Sequence, residues 1–548
     1  MSGPEEGRQQ FVFARKASGL VRGLSLFDSM AVGLMNTGIT ANIWGVITLG
    51  LATYLGANLI ITCIVSIFLA GIGFPLVWGM LAGSMPRSGG EYVYNSRIIH
   101  PIVGIAENFG NAFVMIFWIY VLAPWVADPG LVLVAQYMDW TWLYDNETGM
   151  FFGGSLGYET GTFVVASLAN VAGFLCTAFG LRLLVTVQRV VMGIGLFGAA
   201  VMCVALSSVN KETFIAHWNE FAARYDSLDY ASFVDAVSKA AGTAIPTTWN
   251  WYDSIAAMGA ASWLFAYAYF LVYVAGEVKR PDRNLLLANF IAVMIPVAFM
   301  FWTVIPAYRI MDFDFFSAAA WVDNNYGLDG YTLPFLPNIM SLAYIARPNW
   351  FVALSVSFSF MAFCFWWVAL SYLGFPRMLF AWGLDRLGPR WFTDINPRFA
   401  SPVKNCVLCF VFAQFAIAAY IFWFGDIMQG LTVTGMEIVS VWLVTALSAL
   451  VFPWRKRARG IWEASPYRTW SLLGVPVITW GAVLMLIYAA ICFYFLILAP
   501  EMRDFTWSSL VLYCSVWAAG VVWYFVFRWW NARQGIDVRI AYGQLPPE

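Results

Sequence analysis

Seven residues, Met35-Asn36-Thr37-Gly38-Ile39-Thr40-Ala41, set one glycine and three polar side chains in the middle of the first long apolar segment. Residues 29–34 and 42–55 on either side read as hydrophobic helix. Polar groups at that depth are costly unless something satisfies them. Backbone leaves the helix there only where it lines a cavity or is buried in protein. The chemistry this pattern suits is recognition rather than bond-making. Two readings stand: a broken helix that binds a ligand, and a kinked helix packed on a neighbour through Gly38.

The sixth apolar segment, 257–277, carries the aromatic run Trp263–Phe270, with Phe265-Ala266-Tyr267-Ala268 at its centre. At this spacing an aromatic stripe is either core packing or a ligand box. Three carboxylates stand near apolar stretches. Glu437 lies seven residues into the tenth segment, where an intramembrane carboxylate marks a functional site; if that helix starts late, Glu437 instead reaches external water. Asp28 and Glu107 begin the first and third segments. Both are expected to pair with Arg22, Arg87 or Arg97 in an inner-gate network, each exposed pair adding little energy.

The elements that position these residues follow from composition. The chain has 548 residues, 61% hydrophobic and 11% charged, against roughly a quarter charged in a soluble domain. It therefore reads as an all-α polytopic membrane protein set in a lipid bilayer. The 18% aromatic content and 28 Trp suit interfacial belts and a large apolar interior. A net charge of −1 gives no reason to expect nucleic acid, and the eight Cys are scattered without paired spacing, so no disulfide framework or metal site is expected. The N-terminus has no cleavable signal pattern.

A spanning helix needs about 20 apolar residues. Twelve stretches qualify: 27–50, 57–82, 103–138, 161–180, 184–207, 257–277, 285–308, 349–381, 404–424, 430–453, 474–499 and 507–530. With the N-terminus inside, 24 of the 30 Lys and Arg fall on the cytoplasmic side and 6 outside, as the positive-inside rule requires. A miscounted span would mix the two sides. The layout is a cytoplasmic tail at 1–26, five spans over 27–207, an external loop at 208–256, five spans over 257–453, two more over 474–530 and a cytoplasmic tail at 531–548. The external loops 139–160, 208–256 and 309–348 are lids, partner surfaces or plain connectors. Amphipathic helices are expected at Thr213–Tyr225 and Ser232–Ala241. Spans one and six are five apart, and an odd repeat is inverted in the membrane. Transporters with inverted repeats place substrate between discontinuous helices in corresponding positions, so a break in span one predicts one in span six.

Four motifs in order carry a family resemblance. Pro86-Arg87-Ser88-Gly89-Gly90-Glu91-Tyr92 resembles the turn between helices two and three of the amino acid–polyamine–organocation permeases, and Thr37-Gly38-Ile39 part of their first-helix break. Glu277-Val278-Lys279-Arg280-Pro281 is similar to their turn after helix six. Phe375–Ala381 with Asn396-Pro397-Arg398 and Pro402 is similar to the loop after helix eight. The resemblance covers roughly residues 20–455 and implies a leucine-transporter-like fold of 5+5 inverted repeats plus two extra helices, with helices one and six discontinuous. It implies a secondary active transporter of amino acids or amines working by alternating access in the cell membrane. The substrate carboxylate would be held by free N–H groups of broken helix one. That places Asn36, Thr37, Gly38, Ile39 and Thr40 at the site, with Phe265, Ala266, Tyr267 and Ala268 facing them.

The sequence departs from the pattern. Asn36 stands where a glycine is common, Thr40 where Phe is, and Tyr267 or a neighbour replaces the helix-six glycine, which implies an unusual substrate or an occluding gate. No cofactor is expected beyond a coupling Na+ or H+. A sodium site in this fold would use Ser355 and Ser359 hydroxyls of helix eight, which otherwise bond back within their own helix. The lysine that some proton-coupled relatives place in helix five is missing from 190–208. The pattern G-x-x-x-x-G-K-[ST] occurs nowhere, which disfavours ATP-driven transport by this chain. His100 and His217 both fall in loops, so an intramembrane enzyme is disfavoured. The alternative function is a receptor or binding subunit using the same cavity without net transport.

Overall fold

The computed structural model describes residues 20, 22–424, 427–499, 506–543 and 545. Residues 1–19 of the expected N-terminal tail, and 544 and 546–548 of the C-terminal one, lie outside the described residues.

Among the described residues, twelve helices are long and apolar enough to cross a membrane: Leu26–Thr53, Leu59–Ser84, Pro101–Met138, Tyr158–Ala178, Leu181–Ser207, Trp251–Glu277, Pro281–Ile310, Trp350–Leu384, Val403–Phe424, Leu431–Val451, Val477–Leu498 and Trp507–Arg533. They are spans one to twelve below. In an apolar medium a helix satisfies its own backbone, so these apolar runs are driven to helix. Their starts are set by local chemistry. Ser25 and Asp28 form a capping box, Asn58 caps span two, and Pro101 occupies the first turn of span three. Spans three and eight run for 38 and 35 residues, longer than one crossing needs.

Span five packs along span eight, the first half of span one along span seven, and span twelve along span three. Small residues set these contacts. A Cβ on Gly33 would come within 3.0 Å of the Ala268 carbonyl oxygen in span six, and one on Gly520 within 2.7 Å of Ala106 in span three.

The loops have structure of their own. Residues 211–224 and 230–241 form the two expected amphipathic helices. Trp218, Tyr230 and Phe233 from these pack on Phe315 of a further loop helix, Phe313–Asn324. Between spans three and four, three two-residue strands pair antiparallel, Tyr144 opposite Phe151 and Met150 opposite Gly157. These strands are too short to be read from alternation.

At the end of the bundle nearest the chain termini, three of the sequence motifs meet. Gly89 and Gly90 adopt φ of 110° and 61°. A Cβ on Gly90 would come within 2.5 Å of the Tyr273 ring in span six, so the paired glycines serve both conformation and close approach. Glu277 and Arg377 form a buried ion pair at 2.6 Å. Leu24 bridges Val278, and the Gly23 and Leu24 N–H groups donate to the Glu277 carbonyl at 2.9 and 3.0 Å. Arg97 grips Asp385 with both terminal nitrogens at 2.7 and 2.8 Å, both side chains wholly buried, and Tyr92 donates to the same carboxylate at 2.9 Å.

Removing one partner of a buried pair strands the other charge, at about 3–5 kcal/mol. Asp385→Ala is therefore expected to lower the melting temperature sharply. The double variant Arg97→Met with Asp385→Leu is expected to recover most of the loss, as thermal unfolding in detergent will show.

Candidate functional site

Span one is interrupted at Gly38. Its first half, Leu26–Thr37, ends there and its second, Ile39–Thr53, begins there, with Gly38 at φ 55° and ψ 73°. An L side chain in that region costs roughly 1–2 kcal/mol. A Cβ would meet only Phe363, at 3.7 Å, so conformation rather than crowding demands glycine. The Asn42 N–H returns to the Gly38 carbonyl at 2.8 Å. The N–H groups of Ile39, Thr40 and Ala41 therefore precede the first intrahelical donor, at the positive end of the helix dipole. Span six changes from α-helix, Met258–Phe265, to a 3-10 helix, Tyr267–Glu277. The joint is Ala266, at φ −90° and ψ −23°. That conformation needs no glycine, which is why glycine marks only the first interruption.

Side chains tie the two interruptions together. Asn36 Nδ2 donates to the Tyr267 carbonyl at 2.8 Å. Asn42 Nδ2 donates both to the Thr37 carbonyl and to that of Trp263, the latter at 2.8 Å. Thr40 and Ser359 hydroxyls lie 2.6 Å apart, and Ser359 donates to the Gly195 carbonyl at 2.6 Å. The Thr37 hydroxyl bonds back to Gly33 at 3.1 Å. Two buried polar atoms here have no partner among the described residues, the acceptor Asn36 Oδ1 and the donor Trp118 Nε1. Trp118 stacks on Trp367 at 4.7 Å and meets Trp263 and Tyr267 edge-on, each at 5.9 Å. Aromatic rings thus wall the place where the two spans break.

Away from the termini, a cavity of about 920 Å³ opens beyond the breaks. Its lining includes Trp44, Trp125, Trp263, Tyr326, Tyr331 and Tyr420, with the carboxyls Asp128, Glu159 and Asp323 and no Lys, Arg or His. Trp44 packs edge-on to Trp125 at 5.1 Å and to Phe360 at 5.5 Å, which makes an aromatic floor between cavity and breaks. Asp323, on the loop helix, accepts from Trp44 at 2.8 Å and from Thr48 at 2.5 Å, so it holds the outer half of span one. Burial pushes its carboxyl up to about 6.

Of the residues expected to face one another, Asn36, Thr37, Gly38, Ile39 and Thr40 are all buried at the first break. Tyr267 meets them through its carbonyl, Ala266 is the joint and Ala268 rests against Gly33. Phe265 does not face Gly38: its ring lies toward Gly71 of span two and Tyr488 of span eleven, because one residue along a helix rotates a side chain by about 100°. The inner-gate pairs differ from expectation. Asp28 pairs with Arg189 at 2.7 Å, not with Arg22, Arg87 or Arg97. Glu107 accepts from Asn95 at 3.0 Å, because Asp385 already holds Arg97. Glu91 is buried and accepts from Asn108, Asn111 and Tyr273. Glu437 does not reach solvent; it is wholly buried against Gly110 of span three and accepts from Trp517 at 2.8 Å. Ser359 is at the first break, whereas Ser355 contributes a backbone carbonyl to the contact with Gly198 of span five. Asn42, Trp118 and Asp323 were not anticipated. An Asn within a hydrophobic helix is itself a signal; Trp118 and Asp323 carry none that spacing reveals.

Comparison with known proteins places this geometry. The structure resembles the crystal structure of MhsT in complex with L-phenylalanine, with a TM-score of 0.54 and 16% identity over 85% of this chain and 98% of that one. The fold is thus leucine-transporter-like. No curated protein sequence matches the chain. The model of the amino acid permease family matches residues 24–521, nearly the whole membrane region. With that match, and with span one broken at Gly38 against span six, the chain belongs to the amino acid permease family and is a membrane transporter.

Proposed function

We propose that this permease carries amino acids or related amines across the cell membrane by alternating access, with both termini cytoplasmic and spans 27–207 and 257–453 forming the two inverted repeats. The observation that carries this reading is the junction at Gly38. First-turn N–H groups suit a carboxylate, and Asn36 Oδ1, which has no partner among the described residues, suits an ammonium donor. An amino acid presents those two groups one carbon apart. The acidic, aromatic cavity beyond the junction attracts ammonium groups and disfavours free anions. The distribution of Lys and Arg supports the orientation.

Both routes to the junction are closed in this conformation. Trp44, Trp125 and Phe360 cover it from the cavity, and the Glu277–Arg377 pair and the Leu24 clip close the termini side. Transport then requires these closures to open in turn, with span one and the 3-10 half of span six as moving parts. Reconstitution into liposomes tests the reading. Ligand binding without uptake or exchange would mean a receptor rather than a transporter.

Gly38→Leu is expected to abolish uptake, because its side chain occupies the anion site, while the protein stays monodisperse and melts within a few degrees of wild type. Normal uptake by this variant removes the junction from the site. A second expectation concerns pH. The raised carboxyl of Asp323 favours its protonated form in the folded state. Its contribution to stability is complete below about 4 and is lost as pH rises through about 6. Melting curves of wild type and Asp323→Asn are expected to diverge by a few degrees across that window, wild type being relatively more stable at the acid end.

A further inference from the structure

Three carboxyls lie inside the protein with no role in the junction. Glu91 begins the turn helix Glu91–Ile98, Glu107 is in span three and Glu437 in span ten, and all three are wholly buried. Glu91 Oε1 accepts from Asn108 at 2.5 Å and Asn111 at 2.8 Å, and its Oε2 from the Tyr273 hydroxyl at 2.8 Å. The other two are short of donors. Among the described residues, Glu107 Oε2 has only Asn95, Glu437 Oε2 has only Trp517, and Oε1 of each has no partner. Independently of the carboxyls, Asn111 Oδ1 is buried and has no partner among the described residues, although its amide nitrogen bonds Glu91 and Tyr273.

The described residues around them supply no countercharge. The charges acting on Glu107 are those of Glu91 and Glu437, both negative. Span six brings Tyr269 and Tyr273, span twelve brings Tyr513 and Trp517, and the turn helix brings Asn95. Span eight contributes Trp382, which bonds Asn108. Its ionic residues Arg377 and Asp385 are held by Glu277 and Arg97. A buried carboxylate without a cation or a full set of donors is strongly disfavoured, and the usual escape is to take up a proton. Protonation removes the charge and supplies an O–H donor, the group these three acceptor oxygens lack. A metal ion is the other way to satisfy carboxylates. Among the described residues no group of three His, Cys, Asp or Glu is arranged to hold one.

We propose that Glu91, Glu107 and Glu437 form a proton-binding cluster that carries the coupling proton of this permease. The proposal rests on the transport reading above and names its coupling ion. Position gives the cluster its link to transport. Glu437 lies six residues along span ten from Leu431, which lines the cavity, a rise of about 9 Å, so one end of the cluster approaches the cavity. At the other end Glu91 is bonded to Tyr273, in the same 3-10 segment whose Tyr267 carbonyl takes Asn36. Displacement of that segment breaks the Tyr273–Glu91 bond and leaves Glu91 one donor short. The affinity of the cluster for protons then depends on the position of span six, and linkage makes the reverse true as well.

The test uses the full chain in liposomes with a trapped pH indicator and a mixture of radiolabelled L-amino acids. Wild type is expected to accumulate label under an acid-outside gradient and to acidify the lumen as it does so. Glu107→Gln and Glu437→Gln are expected to lose gradient-driven accumulation by about tenfold or more while exchange without a gradient stays within about twofold. Wild-type exchange without lumen acidification, or full accumulation by both variants, overturns the cluster and leaves the transport reading standing. Failure of wild type to exchange at all counts against the transport reading instead. Infrared spectra of purified wild type decide the cluster separately, even where a variant does not fold. A carbonyl stretch from buried protonated carboxyls, shifted by deuteration, is expected at neutral pH, and its absence overturns the proposal.

Discussion

The carboxamide of Asn42 closes the gap that the rest of the site depends on. Breaking two helices inside a membrane frees carbonyls that lipid cannot satisfy, and each unsatisfied group is costly there. Asn42 answers with its two amide hydrogens, one to the Thr37 carbonyl at the end of the first half-helix and one to Trp263 in span six. Asn36 repeats the device six residues earlier, on the other side of Gly38, from span one to the Tyr267 carbonyl. Because these bonds run between spans, the interruptions are mutually dependent. Neither break is satisfied in this way unless the other span lies alongside it.

The same economy leaves some atoms unsatisfied. Asn36 Oδ1 and Trp118 Nε1 have no partner among the described residues, in a place walled by aromatic rings. Buried polar groups are nearly always paired, so these two atoms are exceptions. Tyr267 places its ring edge-on to Trp118 and Trp367. It narrows the site rather than disrupting it.

Closure at the two ends is built from different materials. Towards the termini, buried ion pairs and a backbone clip tie the turn helix Glu91–Ile98, the segment before span one and the ends of spans six and eight to one another. Towards the cavity, rings and one acidic residue do the work. Ion pairs buried at this depth are strong only while both partners remain. Edge-on aromatic contacts contribute about 0.5–1.5 kcal/mol each, which suits small rearrangements at the floor of an open cavity.

Most of the architecture was legible in the sequence. Twelve spans follow from apolar runs and the distribution of Lys and Arg, because the bilayer forces each apolar run into helix whatever its neighbours. Gly38 was legible too, since its left-handed conformation favours glycine and polar side chains flank it. The interruption at Ala266 was visible only through the spacing of spans, because a 3-10 segment at negative φ leaves no compositional mark. Charge partners were not legible at all. Asp28 meets Arg189, Glu107 meets Asn95 and Arg97 meets Asp385. These pairings are separated by 161, 12 and 288 residues, and three-dimensional packing alone chooses among many equally plausible charges. The sequence determined which segments cross the membrane and where one must break; the tertiary structure decided which polar groups meet inside, because burial and direction are properties of neighbours rather than of order along the chain.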